Sequence, residues 1–341
     1  MRQSIKKEIF SNIISTIPIS ILSRITRTSL VIPYYHIIND MDALHVKYLY
    51  KYKRTGDFKM DLDFLLKNFH PIDLHELIQY IKNNNPIKNN SFLLTFDDGF
   101  REIHDIVAPI LLEKGIPATF FLTTSFIDNK DLAYDNKSSI LLTHSEKLHD
   151  KTIRIEIERI LNRNEIHYKT ALDGILNIEY KKRYVLNEIA EIMDVDFNDY
   201  LNNIQPYLNS DQIKSLIKKR FTIGAHSIDH PLYASISINE QIFQTIESIK
   251  LLREKFSLNY GAFAFPHSDR SVTKAFFNEI NNSGFIDISF GTAGMIKDEI
   301  NTNFQRFSLE RPVIPARQKI GMEFAKKYVR ILKHEDIIQR N

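Results

Sequence analysis

Runs of apolar and β-branched residues recur along the chain, and most are followed by a segment with the apolar spacing of an amphipathic helix. Alternation of strands with helices is typical of α/β proteins with a parallel sheet. Seven candidate strands in such an alternation favour a closed or nearly closed barrel over an open sheet. The candidate strands are residues 30–37, 91–96, 117–124, 221–226, 260–265, 285–290 and 306–314.

The segments between the candidate strands have the pattern and the ends expected of helices. Residues 58–69, 100–115 and 237–256 place apolar side chains three and four positions apart. Gly115 and Gly284 stand just before two of the candidate strands, and glycine is often found immediately after a helix. These features predict an α/β barrel of about seven parallel strands.

One long segment departs from this alternation. Residues from about 128 to 208 are polar, rich in Asn, Lys and Glu, and mostly helical in pattern, as at 154–163 and 182–193. They are interpreted as a helical insertion in one βα loop, and loops on that face of a barrel often shape the site. The expected organisation is an N-terminal segment, 1–29, and a barrel, 30–341, that the insertion interrupts.

The first 29 residues carry basic residues first and then a semi-apolar stretch from Ile9 to Leu22. No small-residue cleavage site follows, so a secretory signal is a poor match. Two interpretations remain open: a helix packed against the barrel, or an amphipathic segment in peripheral contact with a membrane. In the second case five side chains would face lipid headgroups: Arg2, Lys6, Lys7, Arg24 and Arg27.

Composition narrows the class of protein only moderately. The chain is 43% hydrophobic and 26% charged, which is typical of globular proteins. No apolar run is long enough to span a bilayer, so a cytoplasmic or membrane-peripheral location is expected. With 45 basic against 42 acidic residues, nothing indicates a nucleic-acid partner. The absence of cysteine excludes disulfides and thiolate metal sites, and oligomeric state is left open.

Ionisable residues gather where candidate strands end. Asp97 and Asp98 follow the second strand, His226 and His230 surround the end of the fourth, and His36 follows the first. In a parallel barrel these ends meet at one face, where active sites lie. Two adjacent carboxylates are costly to bury without a positive partner. One aspartate and the two histidines could bind a cation, while the other aspartate takes a proton from a bound water.

Three motifs in order along the chain resemble those of the polysaccharide deacetylases, the carbohydrate esterases with NodB homology. They are TFDDG at 95–99, HSIDHP at 226–231 and FAFP at 263–266. The similarity covers most of 30–127 and 208–315 but not the insertion. It implies a distorted (β/α) barrel and a metal-dependent hydrolase that removes N-acetyl groups from an amino-sugar-containing glycan.

The resemblance also implies roles for individual residues. Asp98, His226 and His230 would bind the metal, Asp97 would be the general base, and His36 resembles the catalytic acid of members that carry it near the N-terminus. Substrate or oxyanion contacts are expected from Phe96, Gly99, Phe265, Pro266 and Arg311.

Two departures from the family pattern affect these expectations. Many relatives have an arginine that pairs with the base two positions before the proline of the third motif, but this chain has Ala264 there. Arg311 and Arg306 are the two candidates to replace it, and the choice stays open. His267 and Asp269 follow that proline, either as substrate contacts or as ordinary loop residues.

The expected cofactor is a divalent metal, Zn²⁺ first, with Co²⁺, Ni²⁺ and Fe²⁺ also compatible with such ligands. The expected partner is an N-acetylated glycan. Two alternatives are kept. One is a catalytically silent glycan-binding protein on the same fold. The other is a non-haem iron oxygenase, because two histidines and a carboxylate such as Asp229 also form its metal set.

Overall fold

At the centre of the molecule lies a sheet whose strands all run parallel. This computed structural model describes residues 17–83, 87–88 and 90–341. The strands that we use below are β1 (Leu30–Val31), β2 (Pro33–Tyr35), β3 (His70–Pro71), β4 (Ser91–Phe92), β5 (Leu94–Phe96), β6 (Ala118–Leu122), β7 (Thr222–Ala225), β8 (Ala262–Ala264), β9 (Ile288–Gly291), β10 (Lys297–Asp298), β11 (Asn303–Gln305), β12 (Phe307–Ser308) and β13 (Ile337–Ile338).

Helices follow most of the strands, as the apolar spacing predicts. They are α1 (Ile19–Thr26), α2 (Thr55–Asn68), α3 (Leu74–Asn83), α4 (Ala108–Lys114), α5 (Tyr134–Thr143), α6 (Lys151–Arg163), α7 (Ala171–Leu176), α8 (Val185–Ile192), α9 (Phe197–Ile204), α10 (Ser210–Lys218), α11 (Ile238–Phe256), α12 (Lys274–Asn282) and α13 (Ala316–Leu332). Gly115 ends α4 with a φ of 66°, a left-handed conformation that glycine adopts without steric cost.

The central sheet has eight strands in the order β11-β9-β8-β7-β6-β5-β2-β12. Its two edge strands, β11 and β12, follow each other in the chain, so the sheet curls into a nearly closed barrel. The predicted distorted (β/α) barrel is therefore confirmed. Small additional sheets, β1-β4-β3 and β10-β13, flank it.

Burial explains why the strand segments are so apolar. All five residues of β6 and all four of β7 are buried, which is expected where helices cover a parallel sheet. Phe96 and Phe120 in neighbouring strands pack against each other, with ring centroids 5.6 Å apart. The largest cluster of buried residues joins these strands to the surrounding helices.

No strand of the described chain lies between β6 and β7; that stretch is helical, from α5 to α10. Fifteen buried residues there, including Leu161, Ile175 and Ile189, form an apolar cluster of their own. This helical stretch thus has its own small core beside the barrel. We call residues 128–208 the helical insertion below.

Two sequence expectations differ from the structure near the end of the barrel. The predicted strand at 306–314 is paired only at Phe307 and Ser308, and its second half contains Pro312, which lacks the N–H that a strand needs. The strand β11 was missed. It is polar, yet Asn303 and Gln305 are buried, where their amides donate hydrogen bonds to Asp269 and Asp298.

The N-terminal segment is described only from residue 17, so most of the predicted amphipathic stretch lies outside the described residues. Within α1, Ile19 and Leu22 are buried in the main core, as a helix packed on the barrel would be. Ile21 and Ile25 are exposed. Among the residues described, none of the helices is long and apolar enough to cross a membrane.

Candidate active site

Strand register brings the predicted site residues to one end of the barrel. Tyr35 pairs with Phe96 across β2 and β5, so His36 and Asp97 come next at the same level. Farther round the sheet, Ala225 pairs with Phe263, which puts His226 at that end too. The carboxyl-end clustering inferred from the sequence is therefore observed.

Asp97 is held by an arginine from the far end of the chain. Its two carboxylate oxygens accept hydrogen bonds from the Arg306 guanidinium at 2.7 and 2.9 Å. Both side chains are buried, Asp97 at 2% exposure and Arg306 at 0%. Of the two arginines left open by the sequence, Arg306 is thus the partner of Asp97, and Arg311 is not.

The Arg306 guanidinium is itself firmly placed. It donates to Thr95 Oγ1 at 3.1 Å and to the Gly291 carbonyl at 3.3 Å, and it lies 4.9 Å from the ring centroid of Tyr34. Burial alone would raise the pKa of Asp97, but Arg306 and the nearby imidazoles outweigh it and lower that pKa. Asp97 is therefore ionised at neutral pH.

Asp98 faces both histidines of the second motif. Its Oδ1 lies 3.4 Å from His226 Nε2 and 3.3 Å from His230 Nε2. Burial opposes ionisation of Asp98, yet these imidazoles hold its pKa well below the usual value. Asp98 adopts a φ of 71°, a left-handed conformation that is uncommon outside glycine and that aims neighbouring carboxylates in different directions.

These three side chains fit a divalent cation. Their ligand atoms lie within 4.8 Å of one another, and Asp98 Oδ1 is buried without a hydrogen-bond partner. His226 Nδ1 lies 2.8 Å from the Ala264 carbonyl oxygen, so it carries the proton and leaves the Nε2 lone pair toward Asp98. Two imidazoles and one carboxylate leave coordination positions open for water and substrate.

His36 is supported by a carboxylate that the sequence analysis missed. Glu310 accepts hydrogen bonds from the His36 backbone N–H, at 3.0 Å, and from its Nδ1, and its side chain is 0% exposed. The register explains this contact, because Tyr34 pairs with Ser308 across β2 and β12. The available clue was an acidic residue directly after an apolar strand end, the same feature that marks the aspartate pair.

Arg311 also packs against His36. One guanidinium nitrogen lies 3.1 Å from His36 Nδ1 and 3.0 Å from Nε2, and the group stacks 4.0 Å from the Tyr50 ring centroid. Arg311 lines the cavity described next, as expected for a substrate contact, but its nearest partners are His36 and Glu310 rather than the base.

A cavity of about 710 Å³ contains these groups, which is within the usual range for small-ligand sites. The barrel contributes His36, Asp97, Asp98, His226 and His230 to its lining, and the insertion contributes others. Those from the insertion and the loop after β2 are Tyr48, Leu49, Tyr50, Ala133, Asp135, Asn136, Leu176 and Tyr207.

Buried hydrogen bonds join the loop after β2 to helix α5 of the insertion. Asn136 donates to the His45 carbonyl at 2.8 Å and accepts from the Tyr207 hydroxyl. Ser139 donates to the Leu44 carbonyl at 2.7 Å. Burial lowers the pKa of His45 to about 3, so the imidazole there is neutral. We call this contact the loop–insertion bridge; residues from both sides of it line the cavity.

Some of the residues expected to contact the substrate or oxyanion line the cavity, and others do not. Phe265 lines the cavity, and Pro266 turns the chain so that His267 lines it too. Phe96 and Gly99 do not line it: Phe96 packs in the core, and the Gly99 N–H donates to the Asp97 carbonyl at 2.9 Å. Their expected role as oxyanion contacts is not supported by this placement.

The two polar residues after the third motif, His267 and Asp269, have different surroundings. His267 lies beside His230, with ring centroids 4.6 Å apart. Asp269 is 0% exposed and forms an ion pair with Arg340. Asp269 is therefore a structural residue, and His267 is the one placed to meet a ligand.

Asp229 does not join the histidines. It accepts hydrogen bonds from the Tyr180 hydroxyl at 2.6 Å and from Gln244 at 2.8 Å. The carboxylate facing both imidazoles is Asp98, on a different strand end. The arrangement that suggested an oxygenase is thus absent from this motif.

Comparison with known proteins places the chain among carbohydrate-modifying enzymes. The sequence model of one family, described as polysaccharide deacetylase, matches residues 84–285, which is more than half of the chain. No curated protein matches the sequence.

Several solved structures share the fold at low sequence identity. The Streptococcus pyogenes deacetylase PplD, in complex with acetate, aligns with a TM-score of 0.53 and 14% identity over 86% of this chain and 97% of that one. IcaB from Ammonifex degensii gives 0.54 and 14%, covering 87% and 97%. A de-N-acetylase from Aggregatibacter actinomycetemcomitans gives 0.51 and 12%, covering 86% and 99%.

Proposed function

The chain belongs to the polysaccharide deacetylase family, and from that membership we propose that it hydrolyses N-acetyl groups of an amino-sugar-containing glycan, releasing acetate and a free amine. The observation that carries the proposal is the pairing of Asp97 with Arg306 directly beside the Asp98, His226 and His230 cluster. One carboxylate is thereby kept ionised and unligated next to a cation site.

A divalent cation held by Asp98, His226 and His230 would acidify a water molecule and polarise the acetamide carbonyl. Asp97 accepts the proton of the attacking water, and the water oxygen bonds to the carbonyl carbon. Because Arg306 lowers the pKa of Asp97, this carboxylate is a weak base that needs an acidified water.

His36 then completes the reaction by protonating the leaving nitrogen as the carbon–nitrogen bond breaks. Glu310 accepts from Nδ1 and so holds the ring with Nε2 toward the cavity. Arg311, 3.0 Å from Nε2, is placed to bind an oxygen of the substrate or product. Zn²⁺ is the proposed metal, and Co²⁺, Ni²⁺ or Fe²⁺ suit the same ligands.

Acetate release tests this proposal. Purified protein incubated with N-acetylglucosamine oligomers and Zn²⁺ should release acetate, and removal of the metal with a chelator should stop release until Zn²⁺ is restored. Asp97→Asn should slow the reaction by about 10²–10⁴-fold, the usual contribution of a general base. An unchanged rate in this variant would refute the assignment of Asp97 as the base.

A silent glycan-binding protein is the alternative that the same assay addresses. It would bind oligomers without releasing acetate, with or without metal. The presence of a base with its arginine and an acid with its carboxylate favours catalysis, because a binding protein needs neither pair.

We also propose that α1 contributes to peripheral membrane contact. Ile21 and Ile25 are 47% and 54% exposed, and Arg24 and Arg27 are exposed beside them. Apolar side chains flanked by arginine suit an anionic bilayer surface. Co-sedimentation with phosphatidylglycerol vesicles should fall when both isoleucines are changed to serine. Equal sedimentation of both proteins would contradict the proposal.

A further inference from the structure

The two histidines that face Asp98 are held in different ways. His226 has its second nitrogen on the Ala264 carbonyl, at 2.8 Å. His230 Nδ1 is buried and has no hydrogen-bond partner, although its Nε2 lies 3.3 Å from Asp98. An imidazole that binds a cation through Nε2 carries its proton on Nδ1, so a buried N–H would lack an acceptor there.

Asp135 is the carboxylate placed to serve as that acceptor. It is the second residue of α5 and lines the cavity. Its ligand oxygen, a nitrogen of His230 and a nitrogen of His267 all lie within 4.8 Å of one another. The other two nearby carboxylates are engaged, since Asp98 faces Nε2 and Asp97 is bound by Arg306.

We propose that Asp135 is a positioning residue that accepts the Nδ1 proton of His230 through one bridging water molecule, because the carboxylate lies near the ring but not within direct hydrogen-bonding distance of it. A carboxylate behind a ligating histidine fixes the ring orientation and increases its basicity as a ligand. This inference rests on the proposed function, because it assumes a cation on Nε2. It gives the helical insertion a part in the metal centre, beyond forming one wall of the cavity.

A different use of the same residues would be a second cation held by Asp135, His230 and His267. In that case His230 would need a free lone pair on Nδ1 as well as on Nε2, and so would have to lose its remaining proton. The hydrogen-bonded arrangement needs no such loss, and we therefore favour it.

The test is the affinity and stoichiometry of Zn²⁺ binding, measured by competition with a chromophoric chelator. The wild-type protein should bind one Zn²⁺. Asp135→Ala should weaken binding by about 10–100-fold, as loss of such a partner usually does. Asp135→Asn should lie between the two, because an amide oxygen accepts a hydrogen bond without a charge. Asp135→Glu, which restores the carboxylate, should recover part of the loss.

Asp131→Asn is the matched control. This aspartate precedes α5 in the same insertion, but its side chain is 55% exposed and pairs with Lys137, so Zn²⁺ affinity should not change. Melting temperatures of the metal-free proteins show whether each variant is folded. If the alanine variant unfolds, the comparison of Asp135→Asn with wild type decides the question.

The outcomes separate this inference from the proposed function. Wild-type affinity in a folded Asp135→Ala variant would overturn the inference alone. Two Zn²⁺ per wild-type chain, falling to one in the variant, would overturn it in favour of the second cation site. No Zn²⁺ bound by the wild-type protein would refute the proposed metal dependence, and the inference with it.

Discussion

At the scale of single residues, two contacts of different kinds hold the residues to which we assign the base and the acid. Asp97 and Arg306 meet in a bidentate, fully buried pair. His36 and Glu310 meet at the rim, where the carboxylate is buried and the imidazole is partly exposed. The first pair keeps a carboxylate ionised, and the second orients the imidazole that we propose as the acid.

Glu310 offers a direct test of the second pair. Glu310→Gln keeps the shape and an acceptor oxygen but removes the negative charge beside His36 Nδ1. We expect kcat for acetate release to fall by about 10²-fold, near the lower end of the range for general acids, with little change in KM. His36→Ala should lower kcat at least as much. A larger loss of kcat in Glu310→Gln than in His36→Ala would contradict the assignment of His36 as the acid and Glu310 as its supporting residue.

The Asp97–Arg306 pair predicts how stability depends on pH. The folded-state pKa of Asp97 is lowered, so the pair stabilises the protein fully above the ordinary aspartate value of about 3.9. This stability is lost as pH falls through the lowered pKa. Urea unfolding should therefore show a difference between wild type and Asp97→Asn that shrinks below about pH 4. A difference that grew on acidification would contradict the pairing.

At the scale of elements, strands and helices could be predicted from the sequence far better than the partners of the site residues. Apolar strands such as β6 are visible because both faces of a parallel sheet are buried. The short strand β11 was missed because Asn303 and Gln305 point polar groups inward, toward Asp269. Its role depends on a buried polar network that no local pattern shows.

The residues of the candidate site also differ in how well the sequence predicts them. Asp97, Asp98, His226 and His230 stand in short motifs at strand ends, so the sequence and its family resemblance sufficed to find them. Glu310 and Arg306 act through the pairing of β12 with β2, which joins residues more than 200 positions apart. Asp135 comes from the insertion, which the resemblance does not cover.

The loop–insertion bridge is an element-scale feature with a measurable contribution. Asn136→Ala leaves the His45 carbonyl and the Tyr207 hydroxyl without their buried partner. We expect the free energy of unfolding to fall by about 1–3 kcal/mol, measured by urea denaturation. Asn198→Ala, at an exposed position of α9, is the control and should change it by less than about 0.5 kcal/mol.

At the scale of the whole molecule, buried ion pairs of Arg340 stabilise the barrel. Arg340 is buried and pairs with two carboxylates, Asp269 and Asp298, which are themselves buried. Through Asp269 this network also anchors the loop that presents His267. The strand pair β10–β13 joins the same region, so the end of the described chain is part of the fold.

Removing Arg340 should therefore destabilise the whole domain. Arg340→Ala leaves two buried carboxylates without their cation, and loss of one partner of a buried ion pair typically costs about 3–5 kcal/mol. Thermal and urea unfolding should both report the loss. Lys333→Ala, which removes an exposed cation in the same region, should have little effect. Equal stabilities for the two variants would contradict the role of Arg340.

The pairing of Asp97 with Arg306 has a consequence for how the protein is made. The two residues are 209 positions apart in the chain, and a ribosome adding about 5–20 residues per second needs roughly 10–40 s to cover that distance. During this time the acidic doublet has left the exit tunnel while its guanidinium partner has not yet been synthesised. The buried pair can therefore form only after residue 306 has been synthesised.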